Sequence, residues 1–516
     1  MTVASRRDFL KALGVGAAAM ALPRWLAAAE AAPVPAAAGR KPNIILMVAD
    51  DLGYNDLGCY GATKITTPRI DALAGQGVRL TDAHSTCAIC IPSRYSILSG
   101  TYYFHAKFKG RYPLMFHEGQ VTLPSLLKSA GYRTAALGKW HNGFGREPEP
   151  DYNKELKPGP LEIGFDSFFG TPRTHSEPPL VFVQDHWVVG LDPADPISVD
   201  HSKQFGAHGK QIGGAKAAAA RPDDQIDFIL ADKAARYFAE QKPGRPFFLY
   251  LAFAAMHNPI DPAPEFRQKS KAGLYGDYAE QLDHRTGLVL DALEKNGLAQ
   301  DTLVIFTSDN GGRYENTAMK AGHRTNGELL GQKTDAWEGG HRVPCIARWP
   351  NHIPAGTVRK EFFVQVDFMA TLAEAAGIPL PEGAAPDGSS ELAAFLQPTV
   401  APAKRTEALL QGTKGIVLRQ GGWIYFPKQG SLGYTAPEPE RPFGLPYAKM
   451  GFTNSDIDEH GQIKPNAPRE QLYNLAADLR QRKNLALEEM DRVRAMRARF
   501  LELAGPVANK TPGATE

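Results

Sequence analysis

Five short apolar runs punctuate the chain: Asn43 to Ala49, Arg133 to Leu137, Pro246 to Ala254, Thr302 to Thr307 and Val343 to Arg348. They do not alternate with a period of two, as strands with one wet face do. Most positions are apolar, which predicts strands buried on both faces. Between them, apolar residues return every three to four positions over Asp223 to Gln241 and Tyr278 to Lys295, the spacing of helices. Strands of this kind separated by helices predict an α/β fold with a parallel sheet covered on both sides. The pattern breaks at a Pro/Ala-rich stretch near Leu396 to Lys404. Beyond it, short alternating runs over Gly415 to Phe426 and a charged helix from about Leu485 to Leu503 predict a small α+β subdomain. Residues 40–400 are therefore read as the main domain and 401–516 as a C-terminal subdomain. Gly206 to Ala219 and Pro437 to Pro446 read as loops, and there is no internal repeat.

The first 39 residues stand outside this fold. Ser5-Arg6-Arg7-Asp8-Phe9-Leu10-Lys11, the apolar run Ala12 to Leu22 and several A-x-A sites between Ala27 and Ala38 make a twin-arginine signal peptide. Its apolar run is too short for a hydrocarbon layer of about 30 Å, and no other stretch reaches the roughly 18 apolar residues a membrane helix needs. The expectation is a bacterial protein that engages the twin-arginine translocase and is periplasmic or secreted, without stable membrane insertion. Composition adds little to this. The 516 residues carry 58 basic and 56 acidic side chains, a net charge of +2. The signal holds four basic and two acidic residues, so the remainder is neutral. With no basic stripe, nucleic acid is not an expected partner. Four cysteines in a chain of this length exclude a disulfide scaffold.

Polar residues follow the apolar runs closely. Asp50-Asp51 follows the first, Lys139 and His141 the second, His257 the third, and Asp309-Asn310-Gly311-Gly312 the fourth. These are the carboxyl ends of the strands, where open α/β sheets bind ligands. Any one of these residues alone reads as a cap, a turn residue or a solvated side chain; their coincidence is the signal. Asp50, Asp51, Asp309 and Asn310 offer only oxygen, which suits Ca²⁺ or Mg²⁺ better than zinc or copper. A further segment runs from Cys87 through Cys90-Ile91-Pro92-Ser93-Arg94 to Gly100. Pro92 suits the first helical position and Gly100 the C-terminal cap. Cys90 then lies just before a helix whose free N–H groups attract an anion. Cys87-x-x-Cys90 can also be read as a redox pair or half a zinc site, although the isolated Cys59 and Cys345 supply no second cluster.

Cys90-x-Pro92-Ser93-Arg94, continuing to Leu98-x-Gly100, resembles the signature of the type I sulfatases, members of the alkaline phosphatase superfamily. Further segments carry the resemblance along the chain: Pro42-Asn43-Ile44 with Asp50-Asp51, Gly138-Lys139-Trp140-His141, Met256-His257-Asn258-Pro259 and Ser308-Asp309-Asn310-Gly311-Gly312. Gly331-Gln332-Lys333 with Trp337-Glu338-Gly339-Gly340-His341-Arg342-Val343-Pro344, and Glu470 to Leu475 with Asn484-Leu485, complete it. Two places depart from the family pattern. Leu330 stands where many relatives have Arg, and Leu479-Arg480-Gln481 replaces the usual Asp-Pro-x-Glu, a change expected to lie far from the chemistry.

The resemblance implies an alkaline-phosphatase-like fold: a large mixed, mostly parallel sheet sandwiched by helices, with the smaller subdomain on a short antiparallel sheet. It also implies that Cys90 is converted before folding, by a formylglycine-generating enzyme, to formylglycine (3-oxoalanine). The hydrated aldehyde would attack sulfur, release the alcohol and then expel sulfate. By the same analogy Asp50, Asp51, Asp309, Asn310 and residue 90 would hold the cation, Ca²⁺ or alternatively Mg²⁺. Arg94 and Lys139 would hold the diol and the metal cluster. His141 would take the proton that lets sulfate leave, and His257 and Lys333 would face the leaving oxygen. Three Asp, Ca²⁺, two Lys and one Arg sum to a local charge of +2, so the anion is attracted locally by a neutral chain. Charge alone also accepts a phosphonate, so a phosphonate monoester or phosphodiester hydrolase is the alternative enzyme. An exported binding or redox protein with a Cys87–Cys90 disulfide is the non-enzymatic one. The expected substrate is a sulfated small molecule or saccharide, with Gly322-His323-x-x-Asn326-Gly327 leaning toward sugars. His84, His105, His323, Arg324 and Asn326 are expected at the rim of the pocket.

Overall fold

The computed structural model describes residues 41–107, 112–200, 209–396, 404–433, 452–458 and 463–507. Its strands, in chain order, are β1 (Asn43–Ala49), β2 (Val78–Leu80), β3 (Ala83–His84), β4 (Arg133–Gly138), β5 (Ser167–Gly170), β6 (Val183–Gln184), β7 (Trp187–Val188), β8 (Ser198–Asp200) and β9 (Lys210–Ile212). There follow β10 (Phe247–Ala252), β11 (Thr302–Ser308), β12 (Cys345–Arg348), β13 (Thr357–Arg359), β14 (Phe363–Val364), β15 (Glu407–Gly412), β16 (Gly415–Gln420), β17 (Trp423–Phe426) and β18 (Gln471–Asn474). Ten of them form one sheet in the order β13-β2-β12-β11-β1-β10-β4-β5-β6-β7.

At its centre β11, β1, β10, β4 and β5 are all parallel. The continuous apolar runs have a direct cause here. Ile44, Leu46 and Val48 of β1 enter one core with the helices Cys90–Ser99, Leu123–Ser129 and Phe368–Ala375. Ile45, Met47 and Ala49 enter the opposite core with the helices Pro68–Gly75, Ile226–Ala239 and Gly273–Lys295. With both faces covered, no position is left for a polar residue until the strand ends. The register aligns those ends: Val48 pairs with Ala252 and Thr307, and Ala252 with Gly138.

Some expectations need correction. The fifth apolar run forms β12 from Cys345 only, antiparallel to β11. Pro344, lacking an N–H, cannot join a ladder there. Gly206 to Ala219 is not a plain loop in its described part, since β9 pairs with β8 and Ala215–Ala219 is helical. The last helix begins at Met490, not Leu485. Asn484 Oδ1 accepts from the N–H groups of Leu472 and Ala486, and Leu485 N–H donates to Leu472 O, which ties this stretch to β18. The signal at residues 1–39 and the Pro437 to Pro446 loop lie outside the described residues.

The C-terminal sheet is antiparallel in the order β15-β16-β17-β18 and is covered by the helix Met490–Ala504 through Val493, Met496 and Phe500. The described residues from Lys41 onward form one compact unit. Part of the reason is a short parallel bridge between Cys87 and Gln411. Ala88 N–H donates to Gln411 O at 2.8 Å, and Gln411 N–H to Thr86 O at 3.0 Å. The subdomain therefore buttresses the segment that leads into Cys90.

Candidate active site

The chain leaves β1 through Asp50 and turns at Asp51, whose φ of 62° is left-handed, a conformation Asp tolerates better than most residues. The turn points both carboxylates at the end of β11. Asp51 N–H donates to Asp309 Oδ1 at 3.1 Å, and Asn310 Nδ2 donates to Asp51 Oδ1 at 2.8 Å. Each carboxylate also meets a cation. Lys139 Nζ is 2.6 Å from Asp50 Oδ2, Lys333 Nζ is 2.7 Å from Asp51 Oδ2, and Arg94 Nε is 2.9 Å from Asp309 Oδ2. All of these residues are buried.

Two oxygens lack a hydrogen-bond donor, although Arg94 Nη2 lies 3.7 Å from the first. Asp50 Oδ1 and Asn310 Oδ1 are buried and receive no hydrogen bond. Ligand atoms of Asp50, Asp309 and Cys90 lie within 4.8 Å of one another beside them. Orphaned buried oxygens are rare and call for an explanation. A hard divalent cation fits the donor set, which is oxygen apart from residue 90.

The electrostatics follow from these contacts. Burial raises the Asp50 carboxyl to about 7, against the pull of Lys139. Burial also acts on Asp51 and Asp309, but Lys333 and Arg94 respectively overcome it and hold both below the usual carboxylate range. Burial opposes the charge on Lys333, yet Asp51 prevails and keeps it an ammonium. Burial raises the Cys90 thiol despite Lys139 and Lys333, so the unmodified side chain is not an activated thiolate.

Cys90 is the first residue of the helix Cys90–Ser99, and Pro92 is its third, not its first. The missing N–H of Pro92 still falls in the first turn, where no intrahelical bond is required. Gly100 closes the helix with a left-handed φ of 62°, as its sequence position predicts. Arg94, four residues after Cys90, lies on the same helix face and reaches Asp309.

Two histidines reach the cluster, one at Cys90 and one at Asp51. His141 Nδ1 is 3.4 Å from Cys90 Sγ. His257 Nε2 is 3.9 Å from Asp51 Oδ2. His257 Nδ1 lies 2.7 Å from Asn258 O and 2.8 Å from Thr174 Oγ1. A carbonyl only accepts, so Nδ1 carries the proton and Nε2 is the bare nitrogen turned to the site. Burial, then Lys333, holds this imidazole well below its ordinary pKa.

Residues 42–378 match the sulfatase family. The chain belongs to the sulfatase family. The sulfatase is 36% identical over 497 residues to an N-acetylgalactosamine-6-O-sulfatase of Bacteroides thetaiotaomicron, covering 89% of this chain and 92% of the relative. A solved sulfatase structure described with the metabolism of multiple glycosaminoglycans by the same organism superposes with a TM-score of 0.78 at 33% identity, covering 90% and 99% of the two chains. A phosphonate monoester hydrolase of Agrobacterium radiobacter shares the fold at a TM-score of 0.57 and 18% identity, over 90% and 95% of the chains. Residues 4–23 of the sulfatase match the twin-arginine signal, so the protein is exported to the periplasm or secreted. Among the described residues no helix is long and apolar enough to cross a membrane. As a family member the chain is a sulfuric ester hydrolase.

The structure of the sulfatase brings Asp50, Asp51, Cys90, Arg94, Lys139, His141, His257, Asp309, Asn310 and Lys333 together. The rim candidates have partners of their own. His84 is fully buried, with Nε2 2.7 Å from Asp82 Oδ1 and Nδ1 2.9 Å from His341 Nδ1. His323 Nε2 is 2.7 Å from Asp56 Oδ1, and Tyr275 O–H donates to the other oxygen of Asp56. Asn326 is buried and bonded to both backbone groups of Gly312. These three hold loops in place. Arg324 pairs with Glu328 and lies over Phe452, and His105 faces Asp387.

Leu330 is buried in the core beneath the C-terminal sheet. Gln481 Oε1 accepts from Glu338 N–H at 2.8 Å, tying the departure at Leu479-Arg480-Gln481 to the helix Glu338–His341. Sequence reasoning missed Thr174 and Glu177, which lie in a polar stretch with no motif to mark them. All four cysteines are free thiols, Cys87 and Cys90 included.

Proposed function

We propose that this sulfatase hydrolyses sulfate esters of a saccharide of the glycosaminoglycan type, through a formylglycine made from Cys90 and a bound Ca²⁺ or Mg²⁺. The observation that carries the reading is the pair of donorless oxygens, Asp50 Oδ1 and Asn310 Oδ1, buried beside residue 90 at the start of an uncapped helix. Similarity to an N-acetylgalactosamine-6-O-sulfatase over nearly the whole chain supports the saccharide. Formylglycine supplies the attacking hydroxyl and the cation supplies Lewis acidity, with Asp50, Asp51, Asp309, Asn310 and residue 90 as the holding set.

The remaining work falls to the side chains. Arg94 and Lys139 hold Asp309 and Asp50 in place, and with Lys333 they make a positive field where an anionic ester docks. His141, beside residue 90, takes the proton that lets sulfate depart. His257 is a neutral imidazole with Nε2 turned to the site; the negative charge of a bound sulfate ester beside Lys333 favours uptake of a proton from solvent at Nε2. That proton then passes to the leaving alcohol, with Lys333 facing the same oxygen. Such transfers contribute about 10² to 10⁴ in rate. Residues 40–400 carry this chemistry, and 401–516 brace it.

The test uses full-length protein from a host that has the formylglycine-generating enzyme. Mass spectrometry of the Cys90 peptide and kcat/KM on sulfated saccharides, aryl sulfate and aryl phosphonate are measured together. Conversion at position 90 with preferred release of sulfate from a saccharide is the expected result. Phosphonate turnover equal to or better than sulfate turnover replaces the reading with the phosphonate hydrolase. An intact thiol or a Cys87–Cys90 disulfide in active enzyme removes the mechanism.

A further inference from the structure

His141 has a second neighbour. Its Nδ1 faces Cys90, while on the other side of the ring Nε2 lies 3.8 Å from Glu177 Oε2. Glu177 has no side-chain exposure. Its other oxygen lies 3.7 Å from Arg173 Nη1. Arg173 is itself fixed, donating to Pro178 O at 2.6 Å with its guanidinium 3.8 Å from the centre of the Tyr112 ring.

The loop that carries Glu177 is built around the two histidines. It follows β5, the neighbour of β4. Its backbone accepts from Trp140 N–H at Thr171 O and from His141 N–H at Pro172 O, at 2.9 and 3.1 Å. Three residues before Glu177, Thr174 Oγ1 sits on His257 Nδ1. One loop thus faces the rear nitrogen of both His141, beside Cys90, and His257, beside Asp51.

We propose that Glu177 is a positioning residue for His141, fixing its ring and its tautomer; this rests on the reading of His141 as the proton acceptor at residue 90. An imidazole that accepts at Nδ1 must carry its hydrogen on Nε2. A carboxylate facing Nε2 selects that tautomer, because the other would set a lone pair against its oxygen, and it holds the ring by the same contact, the role carboxylates take behind catalytic histidines on unrelated folds. At 3.8 Å the contact is longer than a hydrogen bond, and such contacts tighten when substrate is bound.

The experiment compares Glu177→Gln, His141→Ala and the double variant in full-length enzyme, with conversion at position 90 measured by mass spectrometry and rates expressed per converted, folded molecule. Glu177→Gln is expected to lower kcat by about 10- to 100-fold with KM within about twofold, a share of the whole His141 effect. Added to His141→Ala it is expected to cost nothing more, since the two residues act as a unit. A kcat within twofold of the parent for Glu177→Gln, beside a His141→Ala variant that is strongly impaired, overturns the proposal and leaves the role of His141 standing. A His141→Ala variant with parental kcat instead overturns the reading on which the proposal rests. Where Glu177→Gln does not fold, Glu177→Asp keeps the charge and withdraws it by one methylene. A lowered kcat at unchanged KM then supports the proposal, and a parental kcat overturns it.

Discussion

Lys139 Nζ lies 2.6 Å from Asp50 Oδ2, and neither side chain has any solvent exposure. The other oxygen of Asp50 has no hydrogen-bond donor. A buried ion pair that satisfies only half of its carboxylate is a poor stabilising device, but it is a sound way to hold an oxygen ready for a cation.

Removing the lysine leaves the buried Asp50 carboxylate with only Arg94 Nη2, 3.7 Å from its other oxygen, as a nearby cation. Lys139→Met should therefore destabilise the fold by about 3–5 kcal/mol, measured by denaturant unfolding of enzyme stripped of divalent cations by a chelator. A loss below 1 kcal/mol would mean that the pair is solvated or that a cation already offsets the charge.

Calcium should stabilise the protein through the same donors. Enzyme stripped by a chelator is expected to melt at a lower temperature and to recover on adding calcium, by about 2.7 kcal/mol at a concentration 100-fold above Kd. Asn310→Leu removes one orphaned oxygen and should shrink the recovery. If Asn310→Leu recovers as fully as the parent, Asn310 is not a ligand.

Cys90→Ala should abolish turnover while leaving the melting temperature and calcium response near those of the parent. The side chain fills little volume, and Asp50, Asp51, Asp309 and Asn310 remain. Residual kcat above a few per cent would place the nucleophile elsewhere.

Acid should weaken the fold in a way traceable to His175. This histidine is buried, its Nε2 faces Pro259 O at 3.1 Å, and burial lowers it from 6.5 to about 4. Above pH 6.5 both folded and unfolded states hold it neutral. Between pH 6.5 and 4 only the unfolded chain gains the proton, so stability is lost as pH falls through that window. Melting curves between pH 7 and 4 should fall less steeply for His175→Gln than for the parent, and parallel curves would assign the acid sensitivity to other groups.

The parts of this protein that could be read without coordinates share one property. Strands β1, β4, β10 and β11 are buried on both faces, so they write themselves as continuous apolar runs, and any polar residue placed just after them stands out. Asp50, Lys139, His141, His257 and Asp309 were legible for that reason, and Cys90 and Arg94 because a helix start compresses them into one short segment. Glu177 had no such marker. Its significance comes from facing His141 across a loop, a relation made by the pairing of β4 with β5. His84 and His323 misled for the opposite reason. A histidine in a polar loop reads as available, whereas both nitrogens of His84 face Asp82 and His341, and Nε2 of His323 faces Asp56. The direction of β12 was equally invisible, because apolar content does not encode whether a strand runs with or against its neighbour.

The bridge between Cys87 and Gln411 sets a timetable. Cys90 has 4% of its surface exposed in the folded protein, and the strand that closes over its approach is synthesised about 320 residues later. At ordinary rates of translation that is an interval on the order of 20 to 60 seconds. Any enzyme that alters residue 90 works against that clock, and slower synthesis of the last third of the chain would raise the fraction of molecules that leave the ribosome converted.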